Sequence, residues 1–330
     1  AECEFAWLRA IDAKLGRVAA VDEPDDPTLE RAGRLGDRHE ERQLAAYRAE
    51  FGDRVTEIPE TRSSDAAGLA QAVAFTREAL ASDARVIYQA AFSDTDFVGF
   101  ADFLLRDDDG RWIVQDTKLA RHARVTALMQ LEAYAVQLDR EGARVADHVE
   151  LLLGDGTVSR HARADIAPVF VLRRERLRSL IADRDVATGA AGEPIAWGDD
   201  RGDLRIAACG RCATCDLEVV AARDLLLVAG MRPIQRERLR AAGVTTIDEL
   251  AAAREAPARM SWDTFTGLRT QARLQLESPA GGVTAAVDGD PDNSPSAAAL
   301  PTFEVVFPQA LGALPRPDLG DLFFDFEGDP

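Results

Sequence analysis

Apolar residues recur every three or four positions in some stretches of the chain and nearly every position in others, and this pattern predicts its helices and strands. Helical spacing covers residues 4–16, 28–51, 65–82 and 124–141, and strand-like runs cover 85–92, 96–106, 111–118, 147–153 and 157–163. The DDDG sequence at 107–110 predicts a tight turn between the second and third of these strands. A meander of strands followed by a crossover helix predicts an α/β fold, with helices on the faces of a mixed sheet.

The pattern changes in the last third of the chain. Residues 216–277 are helical, and LRAAGVTTIDELAAA within them predicts two short helices joined by a Gly-Val turn. Residues 278–302 are rich in Pro, Gly, Ser and Asp, which predicts a linker between domains. Two strand-like pieces follow, FEVVF and DLFFDFE. We therefore expect four parts, at 1–220, 221–277, 278–302 and 303–330.

Composition narrows the class of protein. The chain has 330 residues, of which 46% are hydrophobic, so it can build a sizeable core. Its net charge of −18 argues against a protein whose whole surface binds DNA, because such surfaces are usually basic. An enzyme that acts on nucleic acid stays compatible with that charge, because an active-site channel can be locally basic on an acidic body. No run of 18 apolar residues and no secretory signal is present, so we expect a cytoplasmic protein. Both ends look cut, and we expect a piece of a longer chain.

The candidate chemistry begins with a rare residue. Only two of the 39 Lys and Arg residues are lysines, and Lys118 lies in WIVQDTKLA, two positions after Asp116. Asp102 lies in GFADFLL on the preceding strand, so pairing across the turn would bring the two carboxylates together. Two oxygen ligands suit Mg²⁺ or Mn²⁺, and Lys118 can orient water and neutralise phosphate. The alternative is a chance Asp-x-Lys at an exposed strand end.

Two helices carry further polar candidates. Gln130 and Tyr134 in LMQLEAYAVQL are four residues apart, so they share one helix face, which suits a position beside a polar substrate. In GDRHEE, His39 follows Leu35 by four residues on the side predicted to face inward. It is either an additional metal ligand or a hydrogen-bonded core histidine.

The ordered strings GDRHE, GFADF, QDTK and QLEAY resemble the motifs of the PD-(D/E)XK nuclease superfamily, specifically its RecB-like branch. The resemblance covers about residues 1–220 and implies a restriction-endonuclease-like fold. It implies that His39, Asp102 and Asp116 bind metal, with Lys118 as the catalytic lysine. It also implies that the Thr117 carbonyl is a further ligand and that a helical motif of Gln130 and Tyr134 lies beside the site. The acid before the lysine is Asp here, where Glu is more frequent.

All four cysteines belong to one pattern, namely Cys3, Cys209, Cys212 and Cys215. Four thiolates can bind zinc or an iron–sulfur cluster, and close Cys-x-x-Cys spacing in a cytosolic chain argues against disulfides. Unliganded thiols are the remaining alternative. One early cysteine with three late ones resembles the iron–sulfur nucleases of the RecB-like branch. That resemblance implies a structural 4Fe–4S cluster that closes a loop of about 200 residues.

The end of the chain carries two weaker resemblances. LRAAGVTTIDELAAA is similar to one helix-hairpin-helix, whose turn can offer N–H groups to a DNA phosphate; a plain packing hairpin is the alternative. LFFDFEGDP, with Asp325 and Glu327, resembles the first motif of an RNase H-like exonuclease domain.

Together these features predict a metal-dependent deoxyribonuclease in repair or recombination. The resemblance implies single-stranded or end-bearing DNA as substrate, and C-terminal exonuclease or helicase-like domains as partners. The alternative is a non-catalytic DNA-binding module of a larger helicase-nuclease.

Overall fold

The computed structural model describes residues 3–21, 27–189, 192–278 and 301–313, together with residues 316, 318, 320 and 322. Contacts divide the chain into two units. The sheet unit is Pro24–Ser179, and the helical unit consists of Ala1–Glu23 and Leu180–Pro330.

The sheet unit combines helices with strands, and helices dominate the helical unit. The helices are α1 Glu4–Lys14, α2 Pro27–Phe51, α3 Ala66–Ala81, α4 Val125–Arg140, α5 Arg163–Asp183, α6 Ala213–Ala221, α7 Pro233–Ala241, α8 Ile247–Ala252, α9 Trp262–Glu277 and α10 Pro308–Leu311. The strands are β1 Val55–Glu57, β2 Val86–Ser93, β3 Val98–Arg106, β4 Trp112–Lys118, β5 His148–Leu153 and β6 Val158–Ala162. The five strands predicted between residues 85 and 163 are all confirmed.

The six strands form one sheet in the order β1-β2-β3-β4-β5-β6. The β1–β2 and β4–β5 pairs are parallel, while β2–β3, β3–β4 and β5–β6 are antiparallel. Each parallel pair is connected through a helix, α3 or α4, because a parallel connection needs a crossover. The prediction of an α/β fold with a mixed sheet and flanking helices is confirmed.

Both faces of the sheet are covered. Neighbouring residues of β3 lie in different apolar clusters, because successive side chains of a strand point to opposite faces. Phe103 packs with Leu44 and Tyr47 of α2, whereas Leu104 belongs to the larger core that includes α3 and α4. This double coverage explains why the strands read as nearly continuous apolar runs in the sequence.

The helical unit has two apolar clusters of its own. In one, Phe5 and Leu8 of α1 are buried with Ile195 and the cysteines. The other joins α7, α8 and α9. The predicted turn between α7 and α8 contains Gly243 with φ +84°, a left-handed conformation that glycine adopts readily after a helix.

Three elements were not predicted, namely β1, α5 and the four-residue α10, and one predicted strand is wrong. The three-residue β1 is too short to show a pattern, and α5 has no single apolar stripe, since Leu172 is 71% exposed. Residues 303–307 form no strand, and Phe303 is 78% exposed, because within the described residues no strand pairs with this segment.

Two further predictions concern residues outside the described part of the chain. They are the linker, of which 279–300 is not described, and the exonuclease-like motif with Asp325 and Glu327. Among the helices that are described, none has the length and apolar character needed to cross a membrane.

Candidate functional site

Two carboxylates face each other across the β3–β4 pair. The register pairs Phe103 with Gln115, so one step further along both strands sets Asp102 opposite Asp116. The backbone N–H of Thr117 donates to Asp102 Oδ2 at 3.2 Å. Asp116 is buried, and Asp102 is partly buried. The predicted approach of the two acids is therefore present in the fold.

The electrostatics of this pair favour a bound cation. Burial raises the pKa of Asp102 to about 9, with further contributions from the adjacent carboxyl group of Asp116 and from the charge of Glu40. The N–H of Thr117 acts in the opposite direction. Two adjacent carboxylates cannot both ionise easily, so without a cation Asp102 holds a proton at neutral pH. A divalent ion would replace that proton.

Lys118 contacts the same pair. Its Nζ lies 2.6 Å from Asp116 Oδ2, and its side chain is 39% exposed. Neither carboxylate oxygen of Asp116 accepts a well-aligned hydrogen bond from the described residues, so the contact with Lys118 is an ion pair without good hydrogen-bond geometry. Buried oxygens without such partners are unusual and fit the role of metal ligands.

His39 is buried in α2, and its contact with Arg42 favours the tautomer that carries the proton on Nε2. Its Nδ1 lies 3.4 Å from the Arg42 guanidinium, and its Nε2 has no partner among the described residues. A guanidinium only donates, so this contact makes Nδ1 the acceptor and leaves the proton on Nε2. Metal binding through Nε2 would require the other tautomer. The expectation that Leu35 also faces inward is wrong, because it is exposed.

Glu40, the next residue of α2, is a site acid that the sequence reasoning missed. Its charge contributes to raising the pKa of Asp102, and its Oε1 accepts a hydrogen bond from Gln89 Nε2 at 2.6 Å. The available signal was the HEE string itself, because a carboxylate suits Mg²⁺ better than an imidazole does.

Gln130 and Tyr134 are neighbours on α4, as predicted, with different surroundings. Gln130 is exposed and its Nε2 donates to the Tyr134 hydroxyl at 3.4 Å. The Tyr134 ring is buried between Phe92 and Phe97. Burial raises the pKa of Tyr134, and the charges of Asp102 and Asp116 raise it further, so the hydroxyl lies within the field of both acids.

The segment after Lys118 is basic and exposed. Arg121 and Arg124 follow in KLARHAR, and both side chains are solvent-exposed. In a chain with a net charge of −18, two exposed guanidinium groups within six residues of Lys118 in sequence provide local positive charge. They can contact phosphates of a substrate bound at the carboxylates.

The four cysteines come together in the helical unit. The ligand atoms of Cys3, Cys209, Cys212 and Cys215 lie within 4.8 Å of one another. This is the one group of three or more His, Cys, Asp or Glu ligands at that spacing among the described residues. By that measure His39, Asp102 and Asp116 do not form such a group.

Backbone amides surround the thiolates. Cys3 caps the start of α1, with its sulfur accepting from Ala6 N, and it also accepts from Cys209 N. Cys209 Sγ accepts hydrogen bonds from the N–H groups of Arg211 and Cys212. Burial raises the pKa of the Cys209 thiol, but hydrogen bonds to its sulfur outweigh burial and lower this pKa to about 7. Such N–H···S bonds favour the thiolate, which is the metal-binding form.

The sulfur spacing bears on the kind of metal centre. Cys3 Sγ lies 3.5 Å and Cys209 Sγ 3.9 Å from Cys215 Sγ. Four thiolates around one tetrahedral ion, each at about 2.3 Å, lie about 3.8 Å apart. A 4Fe–4S cluster places a separate iron at each thiolate, so it would need the sulfurs further apart. The donor set fits a metal centre.

The α7–α8 hairpin has its turn amides occupied. The carboxylate of Glu249 accepts from Thr245 N at 2.6 Å and from Thr246 N at 3.1 Å. The same N–H groups would have to face a phosphate if the turn bound DNA as a helix-hairpin-helix does. The contacts favour the alternative, in which the hairpin packs against α9 around Leu250 and Phe265.

Comparison of the chain with protein-family models, with curated proteins and with solved structures finds no match in any of the three.

Proposed function

We propose that the sheet unit is a divalent-metal-dependent deoxyribonuclease of the RecB-like PD-(D/E)XK type. The observation that carries the proposal is the cluster of Asp102, Asp116 and Lys118. Two carboxylates meet across adjacent strands, and the ammonium lies 2.6 Å from one of them. This combination has the ligands for a hard cation and a positive group for phosphate.

Asp102 and Asp116 would hold Mg²⁺ or Mn²⁺. The charge of Glu40 acts on Asp102, so Glu40 would add to the negative charge around the ion. The ion supplies positive charge to the phosphate and lowers the pKa of a water molecule. Lys118 places an ammonium group at the partly exposed end of β4, where it would orient that water and stabilise the negative charge that develops on the phosphate. His39 stays a candidate ligand, conditional on the change of tautomer.

Gln130 and Tyr134 would contact the DNA strand from α4. Gln130 presents an exposed amide next to a buried phenol, so the amide can reach a phosphate or a base while the ring fixes the helix. Arg121 and Arg124 would bind backbone phosphates on the approach to the site. Single-stranded or end-bearing DNA is the proposed substrate, in repair or recombination.

The four cysteines would hold a structural metal centre that fastens α1 to the segment after residue 208. A 4Fe–4S cluster is the form implied by the resemblance, and Zn²⁺ is the form that the sulfur spacing favours. Metal analysis of protein purified without oxygen separates them: four irons with visible absorption indicate the cluster, and one zinc in a colourless protein indicates the single ion.

The decisive experiment compares wild type with Lys118→Ala on end-labelled single-stranded DNA in Mg²⁺, Mn²⁺ or EDTA. Lys14→Ala is the matched control, because Lys14 is the only other lysine and lies exposed at the end of α1. We expect metal-dependent cleavage in wild type and Lys14→Ala. We expect its loss in Lys118→Ala and in Asp116→Asn.

Three outcomes contradict the proposal. Equal cleavage by wild type and Lys118→Ala would show that another site or a contaminant acts. Binding of DNA without any cleavage by wild type would favour the non-catalytic DNA-binding module. Neither binding nor cleavage, with zinc bound, would leave a zinc-stabilised scaffold.

A further inference from the structure

Gln89 has a backbone conformation that is unusual for a strand residue. It lies inside β2 with φ +55°, in the left-handed region that non-glycine residues rarely adopt. Of the described non-glycine residues with positive φ, it is the only one inside a strand. Such conformations persist only where the surroundings enforce them, and they concentrate at functional sites.

The position of this irregularity is specific. The β2–β3 ladder pairs Tyr88 with Phe103 and Ala90 with Ala101, and the intervening pair, Gln89 with Asp102, is missing. The ladder is thus interrupted at the residue opposite the first acid of the candidate site. Local irregularities of this kind re-aim a side chain.

The re-aimed side chain reaches the acid on α2. Gln89 Nε2 donates to Glu40 Oε1 at 2.6 Å. Glu40 is also the acid whose charge is felt at Asp102. Burial is the main cause that raises the pKa of the neighbouring Tyr88 hydroxyl, and both a hydrogen bond to Glu40 and the charge of Glu40 raise this pKa further. A carboxylate on a helix is thereby tied to the strand next to the acidic pair.

We propose that Gln89 is a positioning residue of the nuclease site, whose left-handed backbone directs its amide to Glu40 and holds that carboxylate for the metal. This inference rests on the proposed function. An amide that donates to one oxygen of a carboxylate fixes its orientation, and the carboxylate keeps further lone pairs for a cation. The backbone strain at Gln89 is then the structural consequence of holding an acid of α2 where its charge acts on Asp102.

The test distinguishes the effect of the strained backbone at Gln89 from the effect of its side-chain amide. Gln89→Gly removes the amide but suits a positive φ, so a positioning role predicts an unchanged or higher Tm in EDTA together with weaker metal binding. We expect Mn²⁺ affinity, measured by isothermal titration calorimetry, to fall about 10- to 100-fold, as with other residues that orient metal ligands. The concentration of Mn²⁺ that gives half-maximal cleavage should rise by the same factor.

Two further variants sharpen the result. Gln89→Asn tolerates the left-handed region and keeps an amide on a shorter chain, so it should fold and show an intermediate Mn²⁺ affinity. Arg259→Gly relieves a matched positive φ of +64° at an exposed residue of the helical unit. It should change Tm in the same direction as Gln89→Gly and leave Mn²⁺ affinity unchanged.

The outcomes that overturn the inference are distinct from failure of the nuclease proposal. Wild-type Mn²⁺ affinity in Gln89→Gly would overturn the positioning role alone. A lower Tm with weaker binding in Gln89→Gly would also overturn it, because Gln89 would then support the fold. If the wild type binds no Mn²⁺, or if its Mn²⁺ binding survives in Asp116→Asn, the nuclease proposal fails. The positioning role then fails with it.

Discussion

The buried carboxylate of Asp12 gives the sharpest prediction for the helical unit. Asp12 lies on α1, is fully buried, and accepts from Arg17 at 3.0 Å, from Arg184 at 3.1 Å and from the N–H of Ile195 at 2.9 Å. Both guanidinium side chains are only 3% exposed. Asp12→Asn keeps the shape and one acceptor oxygen but removes the negative charge between the two cations.

The expected loss follows from these contacts. Removing one partner of a buried ion pair costs about 3–5 kcal/mol, because the remaining charge stays buried without compensation. Arg184 keeps its ion pair with Asp183, so the low end of that range applies, about 3 kcal/mol. This corresponds to a shift of about two orders of magnitude in the folding equilibrium.

Urea unfolding followed by tryptophan fluorescence measures the loss. Three of the four tryptophans, Trp7, Trp197 and Trp262, lie in the helical unit with Asp12, so the signal reports mainly on that unit. Asp203→Asn, at an exposed position of the same unit, is the matched control and should change stability by less than about 0.5 kcal/mol. A loss below about 1 kcal/mol for Asp12→Asn would refute the reasoning, since the pair would then offset little more than its own desolvation.

Three other predictions concern the sheet unit. Gly99→Ala should destabilise the sheet unit by about 1–3 kcal/mol in thermal unfolding and should reduce cleavage. The reason is that a Cβ at Gly99 would lie only 2.8 Å from Tyr134 Cε1, so an unchanged Tm would contradict this packing. Arg121→Ala and Arg124→Ala should each weaken DNA binding and reduce the salt dependence of the affinity by about one unit of slope; binding that is insensitive to both would remove them from the interface. In EDTA, the pKa of Asp102 in the folded protein is about 9, which lies above the ordinary value of 3.8. The contribution of the protonated Asp102 to the free energy of unfolding is therefore complete below pH 3.8 and is lost as the pH rises through 9. Asp102→Asn should flatten this decline in chemical denaturation between pH 5 and 9, and an equally steep decline would assign it to other groups.

Local signals explain what the sequence predicts well. In the DDDG turn, Asp107 accepts hydrogen bonds from the N–H and side chain of Arg111, which fixes the turn within a few residues. Once the turn is fixed, the register of β3 and β4 follows, and Asp102 must face Asp116. The acidic pair was therefore predictable from neighbouring residues alone.

Tertiary packing decides what the sequence leaves open. His39 and Glu40 are adjacent, and the rotation of α2 on the sheet determines which of them approaches Asp102. Gln89 looks like any polar residue in a strand, because its φ depends on its contact with that helix. Helix α5 was missed for a related reason, since its exposed apolar residues give no amphipathic stripe.

The four-cysteine site also has a consequence for the order in which the chain matures on the ribosome. Cys3 and Cys215 are separated by 212 positions, and the whole sheet unit lies between them in sequence. At about 5–20 residues per second, Cys3 emerges roughly 10–40 seconds before its last partner is made. During that interval the sheet unit can fold while one thiol waits without its ligand set. Completion of the four-thiol site is thus a late step of biosynthesis, and a metal ion that binds there would be taken up only after all residues of the sheet unit have been made.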